Sequence, residues 1–594
     1  MIENEIKIIG CNSLQQVGNQ SKTLISISEP TRSAPHVIIM HGYLLSGSGS
    51  CAYTLNVAKE WKKHGFGVTI ICRDLNAKKY EFIDEYHGPE IAPSEIEKLD
   101  APKGNQCRVV VPNIDCLLPV YNYQKYEGFK VKTVPNCTLD EIENYIRKTS
   151  AYLRHAALGN SFRLPANFVL TNHVLFGPVI AARALSGLNI PYSCKIHGSA
   201  LTVSLQPYPR LLPYAIEGLQ HCSQIFAGTS HIVKLMYELF GKGLADSLDF
   251  KSKMTIVPPG IDATVFKPIY ESMININMIS FKKETVEYIS SYGQGRNSTV
   301  LRPFDDISSL SHFADKHFDK YHDILTARGY TYNQMMVDFD LLSRFATLKE
   351  NEPIIMYVGN LLNIKGVGEI LISFLGRGGI LECIPSARLI CVGYGGYREH
   401  MESMIDSMIN NDENQFILSS NAGHFVDQSV ILSSYFREIT VEEASRVTIT
   451  GMLQHSQLSL ILPLASLLIL GSKCSEAFGM VIIEAMSCGV LPLANYHSGI
   501  IDVVDEVKES DIDIAEMMMI KTQPGGYFNY ADGSFFIQQL IPQKKTSLTF
   551  LYPLGFDNHK TRFKVGGQLR EIAVSRFSWD IIATRLLEKM RKNE

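Results

Sequence analysis

Short apolar runs recur along the chain, and each is followed by a stretch with helical spacing. In the first half they are His36–Met40, Val68–Cys72, Asn167–Leu170, Tyr192–Ile196, Gln224–Ala227 and Met254–Val257. In the second half they are Pro353–Val358, Ala387–Val392, Arg446–Thr450, Ser466–Leu470 and Val490–Ala494. Runs of this length, rich in Val and Ile and alternating with helices, predict parallel strands buried on both faces and joined by crossovers. One crossover is explicit. Tyr53, Val57 and Trp61 repeat at i, i+4 and i+8, and Gly65 follows as a stop signal.

Two such series predict two α/β domains, with the boundary between about Lys267 and Asn351. Three stretches break the rhythm, at about 75–165, 269–350 and 506–572. In the middle one Met335, Phe339, Leu342 and Phe345 keep helical spacing. The last segment predicts a docking helix, with Ser578 as N-cap, Asp580 in its first turn and an apolar stripe of Trp579, Ile582 and Leu586. The expected division is 1–268, a helical insertion or linker 269–350, 351–576 with an insertion at about 506–572, and a terminal helix 577–594.

At 594 residues the chain exceeds what one core supports, and size alone suggests about three to four units. Hydrophobic and charged fractions of 45% and 20% are those of a folded globular enzyme, so bulk disorder is excluded. A net charge of −4 gives no global attraction to nucleic acid or to an anionic membrane. The twelve cysteines are scattered from Cys11 to Cys488 without a C-x-x-C pair, as for reduced thiols in a cytosol. The N-terminus lacks the apolar core of a secretory signal. The most apolar window, Leu458 to Leu470, contains Pro463 and is too short to span a bilayer, which takes about 20 residues. It predicts a buried helix end followed by a strand. The expectation is therefore a cytoplasmic protein.

The first strand runs into His41-Gly42-Tyr43-Leu44-Leu45-Ser46-Gly47-Ser48-Gly49-Ser50-Cys51-Ala52. Glycines before a helix let backbone N–H groups and the helix dipole approach a phosphate. Gly47-x-Gly49-x-x-Ala52 also fits a dinucleotide fingerprint with Asp74 as ribose ligand. That fingerprint needs a tight strand-to-helix turn, and His41 to Ser46 intervene here. A flexible surface loop is the bland alternative.

The most informative stretch is Ser472-Lys-Cys-Ser-Glu476-Ala-Phe478-Gly479-Met480-Val-Ile-Ile-Glu484-Ala-Met-Ser-Cys-Gly489. It follows a buried run and predicts a helix apolar on nearly every side. Buried carboxylates need partners, because unpaired ones are costly. Eight helical residues rise about 12 Å, enough for Glu476 to hold sugar hydroxyls and Glu484 a ribose, with a diphosphate at the helix N-terminus. Structural caps or salt bridges are the alternative use of both glutamates.

The stretch resembles the E-x7-E motif of the retaining GT-B glycosyltransferases of family 4, which include sucrose-phosphate synthases and bacterial mannosyltransferases. Other segments resemble that family in order. Gly49 before Tyr53 matches its glycine loop, and Pro191-Tyr-Ser-Cys-Lys-Ile-His197-Gly the segment whose histidine sits beside the reacting sugar. Thr255-Ile-Val-Pro-Pro-Gly260-Ile-Asp262 through Phe266 resembles the run into the interdomain linker. Tyr357-Val-Gly359-Asn360 through Lys365-Gly366 resembles the phosphate-binding loop. Val447-Thr-Ile-Thr-Gly451 resembles the strand toward the base, His497-Ser-Gly499 continues past the second glutamate, and Phe577-Ser-Trp579 opens the returning helix. These segments are spread along the chain from Gly49 to Trp579.

The resemblance implies an α/β, GT-B fold, with two doubly wound Rossmann-like domains facing across a cleft and a C-terminal helix crossing back. It implies transfer of a hexose from an NDP-sugar with retention and no metal. Glu476, His197 and Lys365 would be catalytic. Gly49, Gly359, Asn360, Lys365, Phe478, Gly479, Met480 and Glu484 would bind the donor. The acceptor, whether sugar, glycan, lipid or small molecule, is not implied; nucleic acid is not expected, and peripheral membrane contact stays open. One departure is Asn360, which stands where the family has an arginine five residues before its lysine. A GT-B-fold binding or scaffold protein that has lost turnover is therefore the alternative. His312, His317 and His322 cannot share a helical face at about 140° per step, so the neighbouring Asp315, Asp319 and Asp323, interleaved with Lys316 and Lys320, predict a solvated face and not a metal site. No G-x-S-x-G elbow or Walker A loop is present.

Overall fold

The computed structural model describes residues 34–121, 126, 128–159, 165–268, 283, 286–287, 352–421, 429–451, 453, 455–520 and 559–591. The Met335–Phe345 pattern and the His312–Asp323 face lie outside them. The chain divides into two compact units, one reaching Gly260 and resuming at Phe577, the other running from Ile261 to Arg576.

The first unit is built on an eight-stranded parallel sheet. Its strands are β1 (His36–Met40), β2 (Gly67–Ile71), β3 (Glu85–His87), β4 (Cys107–Val110), β7 (Phe168–Asn172), β8 (Tyr192–Lys195), β9 (Gln224–Ala227) and β10 (Met254–Ile256). Their order is β10-β9-β8-β7-β1-β2-β4-β3. A separate parallel pair is formed by β5 (Leu118–Val120) and β6 (Val131–Thr133). The stretch at 75–165 is thus not an interruption of the sheet, since it supplies β3 and β4. It also supplies a 19-residue helix, Leu139–Ala157, which opens on a capping box between Thr138 and Glu141.

Helix α1 (Gly49–Lys63) is capped by the Ser48 side chain, and Gly65 follows it at φ 89°. Its buried stripe, Tyr53, Val57 and Trp61, meets helix α2 (Trp579–Arg591) at the end of the chain. The Trp61 indole donates to the Ala583 carbonyl at 3.1 Å, and the Tyr53 and Trp579 rings meet edge-on at 5.6 Å. Trp61 is completely buried, so Trp61→Ala would cost about 3–5 kcal/mol.

The second unit has a six-stranded parallel sheet of β11 (Ile354–Val358), β12 (Arg388–Val392), β13 (Val447–Gly451), β14 (Leu467–Leu470), β15 (Leu491–Asn495) and β16 (Met519–Ile520). Its order is β13-β12-β11-β14-β15-β16. The central strands are buried on both faces, as doubly wound sheets require. The Leu458–Leu470 window is a helix end, a 3₁₀ turn and β14. The start of the 506–572 stretch is regular as well, giving helix Ile512–Met518 and edge strand β16. No helix of the described residues is long and apolar enough to cross a membrane.

Strand order locates the candidate sites. Each sheet reverses its direction of winding once, between β1 and β7 in the first unit and between β11 and β14 in the second. Open parallel sheets bind ligands outside the carboxyl ends of strands at such a switch point, because the two crossovers diverge there and leave a crevice.

Candidate active site

At the switch point of the second unit two loops are stitched together. After β11 the chain passes Gly359, whose N–H reaches the Val392 carbonyl at 3.0 Å, and makes a 3₁₀ turn at Asn363–Lys365. Gly366 follows at φ 71°, where a Cβ would lie 2.1 Å from the Gly471 carbonyl oxygen. Only glycine allows this approach. After β14 the N–H groups of Lys473 and Cys474 donate to the Ile364 carbonyl at 2.8 and 3.2 Å. The Lys473 ammonium, buried, binds Asn363 Oδ1 and Glu369 Oε1, both at 2.6 Å. The segments that follow β11 and β14 therefore form one platform.

On that platform Lys365 Nζ donates to Glu476 Oε1 at 2.6 Å, and Ser472 Oγ donates to the same oxygen. Glu476 Oε2 has no hydrogen-bond partner among the described residues. Burial opposes the Lys365 ammonium, yet the adjacent Glu476 carboxylate outweighs it and the lysine pKa lies above its usual value. Lys365 is thus charged at neutral pH. The Glu476 backbone is fixed from behind, its N–H donating to Ser498 Oγ at 2.8 Å and its carbonyl accepting from Gly499 at 2.9 Å. A Cβ at Gly499 would sit 2.4 Å from the Ala477 carbonyl oxygen, which accounts for glycine there. His497 closes the ring, donating from Nε2 to the Ser472 carbonyl at 2.8 Å. Burial lowers its pKa.

The two glutamates do not share a helix. Gly479 is left-handed at φ 87°, and helix α3 runs from Met480 to Ser487, so Glu476 lies in the loop before it. The expected 12 Å helical rise between the carboxylates does not apply. Gly479 causes the difference: a residue at positive φ cannot continue a right-handed helix. As a result α3 opens without a side-chain cap beside Phe478, which is buried, and Met480, which is half-buried. Glu484 is on α3 and buried, 3.3 Å from His455 Nε2. The hydrogen bond to Glu484 raises the His455 pKa, against an opposing effect of burial. His455 was not expected from the sequence, where it is one histidine after a strand with no spacing signal. Asn360 is exposed at the loop's outer end.

In the first unit, His197 follows β8. It is half-buried, and its Nε2 meets Asn172 Oδ1 at 2.7 Å. Around it stand His173, with ring centroids 4.8 Å apart, and Tyr53, edge-on at 5.5 Å. His41, at the end of β1, is 6.3 Å from the His173 ring. Burial holds His197 and His173 well below the ordinary imidazole pKa and pushes His41 down to about 4. All three are neutral at pH 7. Lys195, buried and donating to the Val257 carbonyl, is pushed down to about 7 by burial. Of this cluster the sequence singled out only His197 and the loop that begins at His41; Asn172, His173 and Lys195 were missed. Their signal is polar residues at the carboxyl ends of apolar runs.

Gly49 is exposed in the first turn of α1. Asp74 is not poised for a ribose: its carboxylate accepts from the N–H groups of Leu45 and Asn76 at 3.2 and 2.9 Å, shaping the loop.

The model of the family "Glycosyl transferases group 1" matches residues 439–510. The match spans β13, β14, both glutamates and the His497–Gly499 turn. This segment is similar to the group 1 glycosyl transferases, and glycosyl transfer is the enzyme class the match supports. A comparison with curated proteins returns no match. Among solved structures, sucrose-phosphate synthase from Thermosynechococcus elongatus is similar at 13% identity, covering 94% of this chain and 98% of its own, with a TM-score of 0.49. The catalytic domain of starch synthase IV from Arabidopsis thaliana, bound to ADP and acarbose, is 14% identical over 94% and 99% of the two chains, with a TM-score of 0.48. An Anabaena HepE complex with UDP and glucose is 13% identical over 93% and 99%, with a TM-score of 0.46.

Proposed function

We propose that the chain transfers a hexose from a nucleoside-diphosphate sugar to a hydroxyl acceptor, with retention of configuration and without a metal. The observation that supports this best is the Lys365–Glu476 pair at the β11/β14 switch point, in which Glu476 keeps one carboxylate oxygen free. The assets of this platform are a fixed ammonium, a carboxylate acceptor and an uncapped helix N-terminus. These suit an anionic leaving group and a polyhydroxylated one held side by side.

Lys365 and the opening of α3 hold the diphosphate. Glu476 Oε2 accepts from sugar hydroxyls and orients the ring, and Glu484, steadied by His455, accepts from the ribose. Gly359, Asn360, Phe478, Gly479 and Met480 border the nucleotide. Within the first unit, His197 is read as a sugar contact and the Gly49 loop as a phosphate contact, as the family resemblance implies. As the bond from C1 to the diphosphate oxygen breaks, the acceptor oxygen bonds to C1 on the same face, and the departing oxygen takes the acceptor's proton. The developing charge falls on an oxygen beside an ammonium already in place, so little reorganisation is needed in the transition state.

The test is release of nucleoside diphosphate from a panel of UDP-, ADP- and GDP-sugars, with a broad acceptor mixture and with or without EDTA. Turnover that survives chelation supports the reading. Tight donor binding with no release from any donor would favour the scaffold alternative, which the exposed Asn360 in place of an arginine motivates.

A further inference from the structure

The hydrogen-bond chain behind His197 can be oriented by counting protons. Thr54 Oγ1 lies 2.9 Å from the Ser50 carbonyl, 3.1 Å from His41 Nδ1 and 3.2 Å from Asn172 Nδ2. His41 Nε2 lies 2.9 Å from the Leu44 carbonyl, which can only accept, so the proton of this neutral imidazole is on Nε2 and its Nδ1 is an acceptor. Thr54 has one proton. It goes to the Ser50 carbonyl or to His41 Nδ1, both acceptors. Toward Asn172, Thr54 can therefore only accept, and the asparagine must present its NH₂ there. Its carbonyl is thereby turned to His197, so Nε2 of His197 must carry the proton. In a neutral ring that leaves Nδ1 bare, and Nδ1 has no hydrogen-bond partner among the described residues.

We propose that Asn172, itself held by Thr54, is a positioning residue that keeps the His197 proton on Nε2, so that Nδ1 faces the sugar as a pure acceptor. A pure acceptor recognises a hydroxyl. It repels a carboxylate, whose lone pairs and charge would face another lone pair beside the Tyr53 and His173 rings. The ligand group at this place is a hydroxyl of a neutral hexose and not the carboxylate of a uronic acid. This inference rests on the reading of His197 as a sugar contact. The tautomer it invokes is a property of the protein alone.

Two readouts separate these claims. The first is long-range ¹⁵N–¹H NMR of the full chain labelled at histidine, with the His197 signals assigned by their loss in His197→Gln. The expected result is a protonated Nε2 and an unprotonated Nδ1, giving way to a mixture of tautomers in Asn172→Leu and in the near-isosteric Thr54→Val. A protonated Nδ1 in the wild type overturns the proposal whatever the activity. The second readout is turnover of UDP-glucose against UDP-glucuronate and of GDP-mannose against GDP-mannuronate. Wild type should favour the neutral member of a pair it uses, and both variants should lose about 10- to 100-fold in kcat on it, with the affinity for free UDP or GDP little changed. If the tautomer is as expected and the neutral sugar's turnover is indifferent to Asn172→Leu, the positioning claim fails. If His197→Gln also leaves turnover unchanged, the assignment of His197 to the sugar fails with it.

Discussion

The two sheets carry polar clusters at the same topological place and give them opposite electrical character. At the β1/β7 end three histidines are neutral and a lysine is close to losing its proton, because burial disfavours their charged forms. At the β11/β14 end an ammonium sits against a carboxylate, whose charge outweighs the burial that opposes the lysine's own. Strand order thus decides where a site forms in each unit. The few loop residues beyond the strand ends decide whether it offers lone pairs to hydroxyls or a positive field to phosphate.

The comparison breaks most easily on its charged side. Lys365→Ala should cost about 3 kcal/mol or more in transition-state energy, by analogy with the loss of one oxyanion donor, and Glu476→Gln should cut turnover about 10²-fold. Steady-state NDP release reads both, and near-wild-type kcat/KM in either variant would remove it from the reaction. Gly366→Ala should lose about 1–3 kcal/mol of stability, since a left-handed residue would push a methyl against the Gly471 carbonyl. A thermal shift indistinguishable from wild type would mean that the two loops are less tightly joined than the structure shows.

Glu484→Ala should weaken nucleotide binding about 10-fold with less effect on kcat, as expected for a ribose contact. The same substitution should lower the His455 pKa. That pair stabilises the fold fully below the ordinary imidazole pKa, and its contribution fades as pH rises through the raised value. Titration of the His455 ring signal checks this, and an unmoved pKa would deny the contact. On the neutral side, Lys195 binds more protons unfolded than folded between about pH 7 and its ordinary value of 10.5, so the wild type should gain stability relative to Lys195→Met across that interval. Melting both proteins at pH 6.5 and 9.5 tests the sign, and a gap that does not change with pH would contradict a buried, depressed lysine. The smallest effect is expected from Asn360→Arg, a severalfold tighter binding of free NDP.

Much of the fold was legible because a buried parallel strand is an apolar run, and β1, β9, β11 and β14 coincide with such runs nearly residue for residue. β4 was missed because Arg108 interrupts it and polar sequence surrounds it, although Val109-Val110-Val111 before Pro112 was a usable signal. The helix start was misplaced because an apolar pattern does not announce a left-handed residue, and Gly479 looks like a motif glycine before it looks like a break. Lys365 and Glu476 were both named from sequence, but their contact spans 111 positions and exists only because β11 lies beside β14. The Thr54–Asn172–His197 chain is of the same kind. Its members are ordinary residues until β7 is placed between β1 and β8.

The central claim is that Lys365 and Glu476 act as one unit on the donor, and a double-mutant cycle on kcat/KM for NDP release tests it most directly. With the donor that the wild type uses best, Lys365→Ala, Glu476→Gln and the double variant are compared. The account predicts that the double variant is little worse than the poorer single one, a coupling of about 1–3 kcal/mol between residues in contact. Strictly additive losses would show two independent residues, and a wild type whose NDP release exceeds neither single variant's would contradict the site itself.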